Sequence, residues 1–187
     1  MKLYIKNMVC NRCKMVVKTE LEKLGFNSIS VKLGEVELVQ ESLDDSQNEA
    51  IKKVIRNFGF ELLTDKKKQL TEQIKTTIIE LVHYQNEPLK SNLSDYLSKK
   101  LNTEYAYLSA IFSEAEQNTI EKYFIQQKIE KVKELLTYGE QSLSEIAFRL
   151  NYSSVAHLSA QFKKISGQTP SQYKQSQDLN RKTLDEI

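Results

Sequence analysis

Two stretches of this chain repeat one another. Leu97, Ser98, Leu101 and Asn102 stand 49 positions before Ile146, Ala147, Leu150 and Asn151, and Leu108-Ser109-Ala110 with Phe112 stand 50 before Leu158-Ser159-Ala160 with Phe162. The apolar members recur three and four residues apart, the period of a helix with one buried face. A short helix, a turn at an asparagine and a second short helix are therefore expected twice, as duplicated helix-turn-helix units.

The second copy, Ser142 to Tyr173, carries the clearer punctuation. Ser142 and Glu145 have the spacing of a capping box, so a helix starts there, with Ile146, Ala147 and Leu150 as its stripe. It ends at Asn151, which tolerates the left-handed conformation of a tight turn. Ser153 or Ser154 caps the next helix, whose expected buried face is Leu158, Phe162 and Ile165. Gly167 stops it, and Thr169-Pro170 opens a third helix in the order of cap followed by proline. Between the copies, Thr119 to Thr137 reads as a long amphipathic helix with Phe124, Ile125, Ile129, Val132, Leu135 and Leu136 apolar, closed by Gly139. Upstream, Ile74, Ile78, Leu81 and Val82 mark one more helix over Thr71 to Tyr84, and Glu87-Pro88 a turn.

The runs SLSEIAFRLNYSS, LSAQFKK and SGQTPSQYK resemble the carboxyl-terminal motif of the AraC family of transcription regulators, and with the first copy the resemblance spans about residues 71 to 175. It implies double-stranded DNA as partner, contact with RNA polymerase, and one helix of each unit entering successive major grooves. Those helices would be Glu104 to Ser113 and Ser154 to Ile165. The family's groove-facing positions fall on Tyr105, Ala106, Ser109 and Ala110, and on Val155, Ala156, Ser159 and Ala160. Arg, Lys, Asn and Gln supply most base-edge contacts, and none occupies those eight positions. Thr103 to Asn118 holds Glu104, Glu114 and Glu116 with no Lys or Arg, a composition that phosphates repel. The second helix holds His157, Lys163 and Lys164 with no acid; two such lysines are a solvated face in most proteins, but after this motif they are expected to contact phosphate. Ser154 joins the expected DNA-contacting set.

The first sixty-three residues follow another pattern. Leu3 to Ile5 reads as a strand, Asn7 to Cys13 as a loop, and Lys14 to Leu24 as a helix with Val16, Val17, Leu21 and Leu24 inward, ended by Gly25. Ile29 to Leu33 and Val36 to Val39 read as a hairpin about Gly34-Glu35. Ala50, Ile51, Val54, Ile55 and Phe58 give a second helix, and Phe60 to Leu63 a last strand after Gly59. The order βαββαβ predicts a ferredoxin-like unit. Thr64 to Leu70, TDKKKQL, is either a charged linker or the solvated first turn of the next helix.

The loop Asn7-Met8-Val9-Cys10-Asn11-Arg12-Cys13 and the closing Gly59-Phe60 resemble the heavy-metal-associated domain of copper chaperones and metal-transporting ATPases. That family writes Gly-Met-Thr-Cys-x-x-Cys, so a Gly and a Thr are replaced here. The resemblance implies that Cys10 and Cys13 bind a soft metal and that Met8 packs inward. Soft sulfur selects Cu(I) and similar ions, and two ligands fall short of a closed Zn²⁺ site. A helix amino terminus flanked by Arg12 and Lys14 is expected to lower the thiol pKa. A dithiol switch and a pair of inert cysteines are the competing readings.

Composition adds limits more than direction. With 28% charged and 40% hydrophobic residues the chain is ordinary globular material, and its net charge of +2 over 187 residues carries no nucleic-acid signature. No apolar run approaches a membrane span and MKLYIKNM lacks a signal-peptide core, so the cytoplasm is the expected location. No convergent acid, base and nucleophile set points to an enzyme. The expected architecture is an α+β two-domain chain: a metal-binding ferredoxin-like domain over 1–63, a linker over 64–70, and an all-α domain over 71–187 with two helix-turn-helix units joined by a long helix. The expected function is an AraC-type regulator responsive to copper through Cys10 and Cys13. The alternative is a metal carrier whose helical half binds protein.

Overall fold

Alternation of apolar and charged side chains makes Lys2–Lys6 a strand (β1), with Leu3 and Ile5 buried and Lys2, Tyr4 and Lys6 turned away. The structure is a computed structural model that describes residues 1–85, 89–176 and 181–187, so the turn expected at Glu87-Pro88 lies outside the described residues. By contacts the chain divides into two units, Met1–Thr77 and Ile78–Ile187.

In the first unit β1 is followed by α1 (Asn11–Lys23), β2 (Ser28–Lys32), β3 (Glu35–Leu38), α2 (Asp45–Arg56) and β4 (Glu61–Leu63). The four strands form one sheet in the order β2-β3-β1-β4, with each neighbouring pair antiparallel. Register is anchored by Leu3 opposite Val36 and Ile5 opposite Leu62, and β2 carries an irregularity at Ser28/Ser30. Leu3, Ile5, Val36 and Leu38 from the sheet meet Val17, Leu21, Ile51 and Ile55 from the two helices, with Met8, Phe26 and Phe60 completing the core. This is the helix-on-sheet arrangement that one apolar face per element requires.

The order of elements matches expectation, while several boundaries move. Helix α1 starts at Asn11, three residues early, so Cys13 sits in its first turn and not in a loop. Val16 and Leu24 are only partly buried against the core that Val17 and Leu21 enter. Helix α2 starts at Asp45 because Asp44 and Gln47 form a capping box, a signal that precedes the apolar periodicity. Phe58, expected inward, is 48% exposed because it falls in the turn after α2 and not on its face. Val39 lies past the end of β3 and is 61% exposed. Of the two readings of TDKKKQL the helical one holds: Asp65 accepts from the Lys68 amide, and Gln69 donates to the Leu63 carbonyl, so α3 (Lys66–Ile79) begins two residues after β4. The contact division falls at 77/78, inside that helix.

Helix α3 passes into a π-helical turn, Glu80–Tyr84, and the four expected apolar residues Ile74, Ile78, Leu81 and Val82 are all buried. The second unit continues with α4 (Leu93–Leu101), α5 (Tyr105–Glu116), α6 (Ile120–Tyr138), α7 (Leu143–Arg149), α8 (Val155–Ser166) and α9 (Pro170–Gln175). Ile129, Val132, Leu135 and Leu136 of α6 pack with Ile146, Ala147, Leu150, Leu158, Phe162 and Tyr173 in one core. Phe124 and Ile125 are only partly buried, and Ile165, expected inside, is 42% exposed on α8. By angle Ile165 shares the face of Leu158 and Phe162, but it stands in the last turn of α8, one residue before its end at Ser166.

Candidate DNA interface and thiol pair

The duplication holds in backbone and side chain alike. Asn102 and Asn151 both turn left-handed, at φ 49 and 57, and end the first helix of each unit. Caps also correspond: Asn92 accepts from Asp95 and Ser142 from Glu145, the latter as the expected capping box. The copies run further than the sequence comparison indicated. Thr119 caps α6 and Thr169 caps α9, while Phe112–Tyr123 and Phe162–Tyr173 are ring pairs with centroids 5.5 and 5.6 Å apart. Each unit is thus a three-helix module, and α6 is both the third helix of the first and the connection to the second. The signal was present as Thr119/Thr169 and Tyr123/Tyr173, hidden by dissimilar helix lengths.

On this shared scaffold α5 and α8 occupy equivalent places. Ala106, Tyr107 and Ala110 are exposed on α5, as are Ala156, His157 and Ala160 on α8. Tyr105 and Ser109, like Val155 and Ser159, are half-buried, and Val155 packs against the core. Tyr107, 54% exposed, is the outward aromatic that sequence spacing did not single out. The Tyr105 hydroxyl donates to Glu121; burial and that bond hold the phenol well above its usual range, while the same bond lowers the Glu121 carboxyl.

The charges diverge between equivalent positions. Where α5 has Ser113 and Glu114, α8 has Lys163 and Lys164, and where α5 begins at Glu104, α8 is capped by Ser154. Lys163 and Lys164 are exposed in the last turn of α8. At the other end Ser154 accepts from the His157 amide at 3.0 Å, and the His157 ring bonds Ser153 at 3.0 Å and meets Tyr152 edge-on. The Tyr152 hydroxyl donates to Gln161 at 2.7 Å. These contacts fix the start of α8 to the preceding turn.

In the other unit, Cys10 caps α1 in extended conformation and Cys13 lies one turn in, so their sulfurs approach to 3.2 Å as a hydrogen-bonded pair. Both are half-buried. Burial, with the bond from Cys10, pushes the Cys13 thiol up, and this corrects the expected lowering: the Val9 and Cys10 amides act in the expected direction but are outweighed. Met8 is fully buried in the core, as the resemblance implied. Asn7 adopts φ 70 and donates to the Gly59 carbonyl at 2.9 Å, which explains how asparagine stands where the resembled loop has glycine. Among the described residues no group of three or more His, Cys, Asp or Glu converges as a metal site would.

Residues 97–176 match the family model described as Helix-turn-helix domain. They form an AraC-type helix-turn-helix domain. The C-terminal domain of AraT, a response regulator from Geobacillus stearothermophilus, shares its fold, with a TM-score of 0.51 and 22% identity over 64% of this chain and 92% of that one. The C-terminal domain of the two-component response regulator yesN from Fusobacterium nucleatum is 30% identical over 55% of this chain and 99% of that one, with a TM-score of 0.47. A DNA-binding transcriptional dual regulator from Escherichia coli K-12 is 17% identical over 56% and 88%, with a TM-score of 0.48. No curated protein sequence matches the chain. In this AraC-type domain α5 and α8 are the second helices of the two helix-turn-helix units. Among the described residues of the chain, no helix is long and apolar enough to cross a membrane.

Proposed function

We propose that the chain is a transcription regulator in which Cys10 and Cys13 bind a soft metal ion, Cu(I) foremost, and thereby alter how the AraC-type domain engages DNA. The observation that carries the metal half is the pair of half-buried thiols on one helix turn, 3.2 Å apart. The strand order β2-β3-β1-β4, with α1 and α2 as connections, supports reading that unit as a ferredoxin-like domain of the heavy-metal-associated kind. Cys10 and Cys13, at the start of α1, would hold the ion through their two sulfurs, the soft donors such an ion prefers. Both thiols give up protons in doing so, and the raised Cys13 makes loading compete with protons more strongly than an ordinary thiol would.

On the DNA side, α8 is the stronger contact. Its Lys163 and Lys164 meet phosphate, Ser154 and Ser159 stand at the groove, and Ala156 and Ala160 offer methyl groups to thymine. Tyr105 and Ser109 of α5 contribute less, because Glu104 and Glu114 repel the backbone. Specificity with so few base-reading side chains then leans on the shape of the DNA. A titration of operator DNA with and without Cu(I) tests the coupling. A change in affinity that Cys10→Ser with Cys13→Ser abolishes is the expected result, and identical curves in all conditions would remove metal sensing.

The acidic α5 favours a second reading, in which the helical half binds protein and the first unit carries metal. A steep fall of DNA affinity with salt, with one protected site, separates the two in favour of regulation.

A further inference from the structure

Helix α6 buries three lysines within the second unit, and they are treated differently. Lys131 pairs with Glu134 and Lys133 with Glu130, each at 2.6 Å. Lys128, only 8% exposed, has no carboxylate at ion-pair distance among the described residues. Its ammonium lies 3.7 Å over the Tyr152 ring and 5.4 Å from that of Phe124. Burial alone lowers its pKa to about 8. Ring faces offset part of the cost of burying a cation, but they give its three N–H donors no oxygen acceptor. Buried charges are otherwise paired, because an isolated ion in a poorly solvated site costs several kcal/mol.

Lys128 also lines a partly open cavity of about 30 Å³. Arg149 lines it as a second cationic side chain, and Leu81, Val82, Leu89 and Leu150 supply apolar wall. With Lys128 in its wall the cavity disfavours a cationic ligand. The volume accommodates a small headgroup, while the aliphatic wall suits a hydrocarbon stem. Asn151, the left-handed residue that turns α7 toward α8, stands at the rim.

We propose that this cavity is a binding site for a small aliphatic carboxylate, its headgroup on Lys128 and its stem against Leu81, Val82 and Leu150. The site abuts the turn of the second helix-turn-helix unit, so occupancy adds contacts to the segment that orients α8. It is independent of the thiol pair and stands whether or not metal regulates the protein.

The test uses the full chain with selectively ¹³C-labelled lysine and three probes, butyrate, acetate and inorganic phosphate, at matched ionic strength. Butyrate at millimolar concentration is expected to shift one lysine Cε resonance saturably and to raise the melting temperature. The resonance is assigned as the one missing from Lys128→Met, in which butyrate affinity should fall at least tenfold. Acetate should bind more weakly than butyrate, because it lacks the stem. If Lys128→Met does not fold, Lys128→Arg supplies the assignment and the wild-type titration decides. The proposal is overturned if no lysine resonance shifts saturably, if Lys128→Met binds butyrate as wild type does, or if phosphate matches butyrate.

Discussion

At Gly34 a hypothetical Cβ would stand 2.9 Å from the Thr76 methyl, and the backbone there has φ 71. Both facts act against any side chain, the first by overlap and the second by left-handed strain of about 1–2 kcal/mol. Gly34→Ala should therefore destabilise the first unit by about 2 kcal/mol, measured by denaturant unfolding. Asn7→Ala loses both the tolerance for φ 70 and the bond to Gly59, and should weaken the loop ahead of Cys10 in the same assay. His83 gives a pH signature. Its ring bonds Gln127 at 2.9 Å, and burial lowers its pKa to about 4, against a partial opposing effect of that bond. The unfolded chain takes up a proton near pH 6.5 and the folded chain does not until about pH 4, so the folded state loses stability as pH falls across that window. The loss should approach about 3 kcal/mol by pH 4, and His83→Gln should flatten it in a pH series of unfolding curves. None of these residues could be weighted from sequence. Gly34 reads as a hairpin glycine, but its contact partner lies some forty residues away, and His83 gave no sign of burial because its π-helical turn and the facing Gln127 belong to tertiary packing.

Among the elements, those that carry their own punctuation were readable in advance. The Ser142/Glu145 box, the Thr169-Pro170 start, Asn151 and Gly167 are local chemistry, and the helices they bound lie where they should. Elements set by competition between neighbours were left open or moved: Asp65 decides between the two readings of TDKKKQL by capping it as helix, and Cys10 took the cap of α1 and drew Cys13 into the helix. The site followed the same division. The exposed faces of α5 and α8 were implied by the repeat, whereas the buried Lys128 and the raised Cys13 depend on surroundings that no spacing encodes. Two predictions belong to these helices. Lys163→Gln with Lys164→Gln should weaken DNA binding at all sequences and reduce the slope of log affinity against log salt by about 2, since each phosphate contact contributes about 0.9. Glu114→Lys, which gives α5 the residue α8 has at the equivalent place, should strengthen binding and steepen that slope by about 1, as gel-shift titrations over a salt series would read.

On the proposed function, the molecule as a whole joins a soft-ion receptor to a DNA reader, and the ion changes what the reader does. Coupling of this kind is a free energy shared by two sites, so metal that shifts DNA affinity must be shifted in its own affinity by the same factor when DNA is bound. Equal factors from copper and DNA titrations would therefore be a quantitative consistency check. The thiol pair also predicts pH dependence: apparent metal affinity should fall as pH is lowered, because Cys13 holds its proton more firmly than an ordinary thiol. The most direct measurement is genome-wide DNA occupancy in cells with and without added copper, for the wild-type chain and for Cys10→Ser with Cys13→Ser. Discrete bound sites whose occupancy changes with copper in the wild type only are the predicted result. Absence of discrete sites, or occupancy indifferent to copper and to the cysteines, would contradict it.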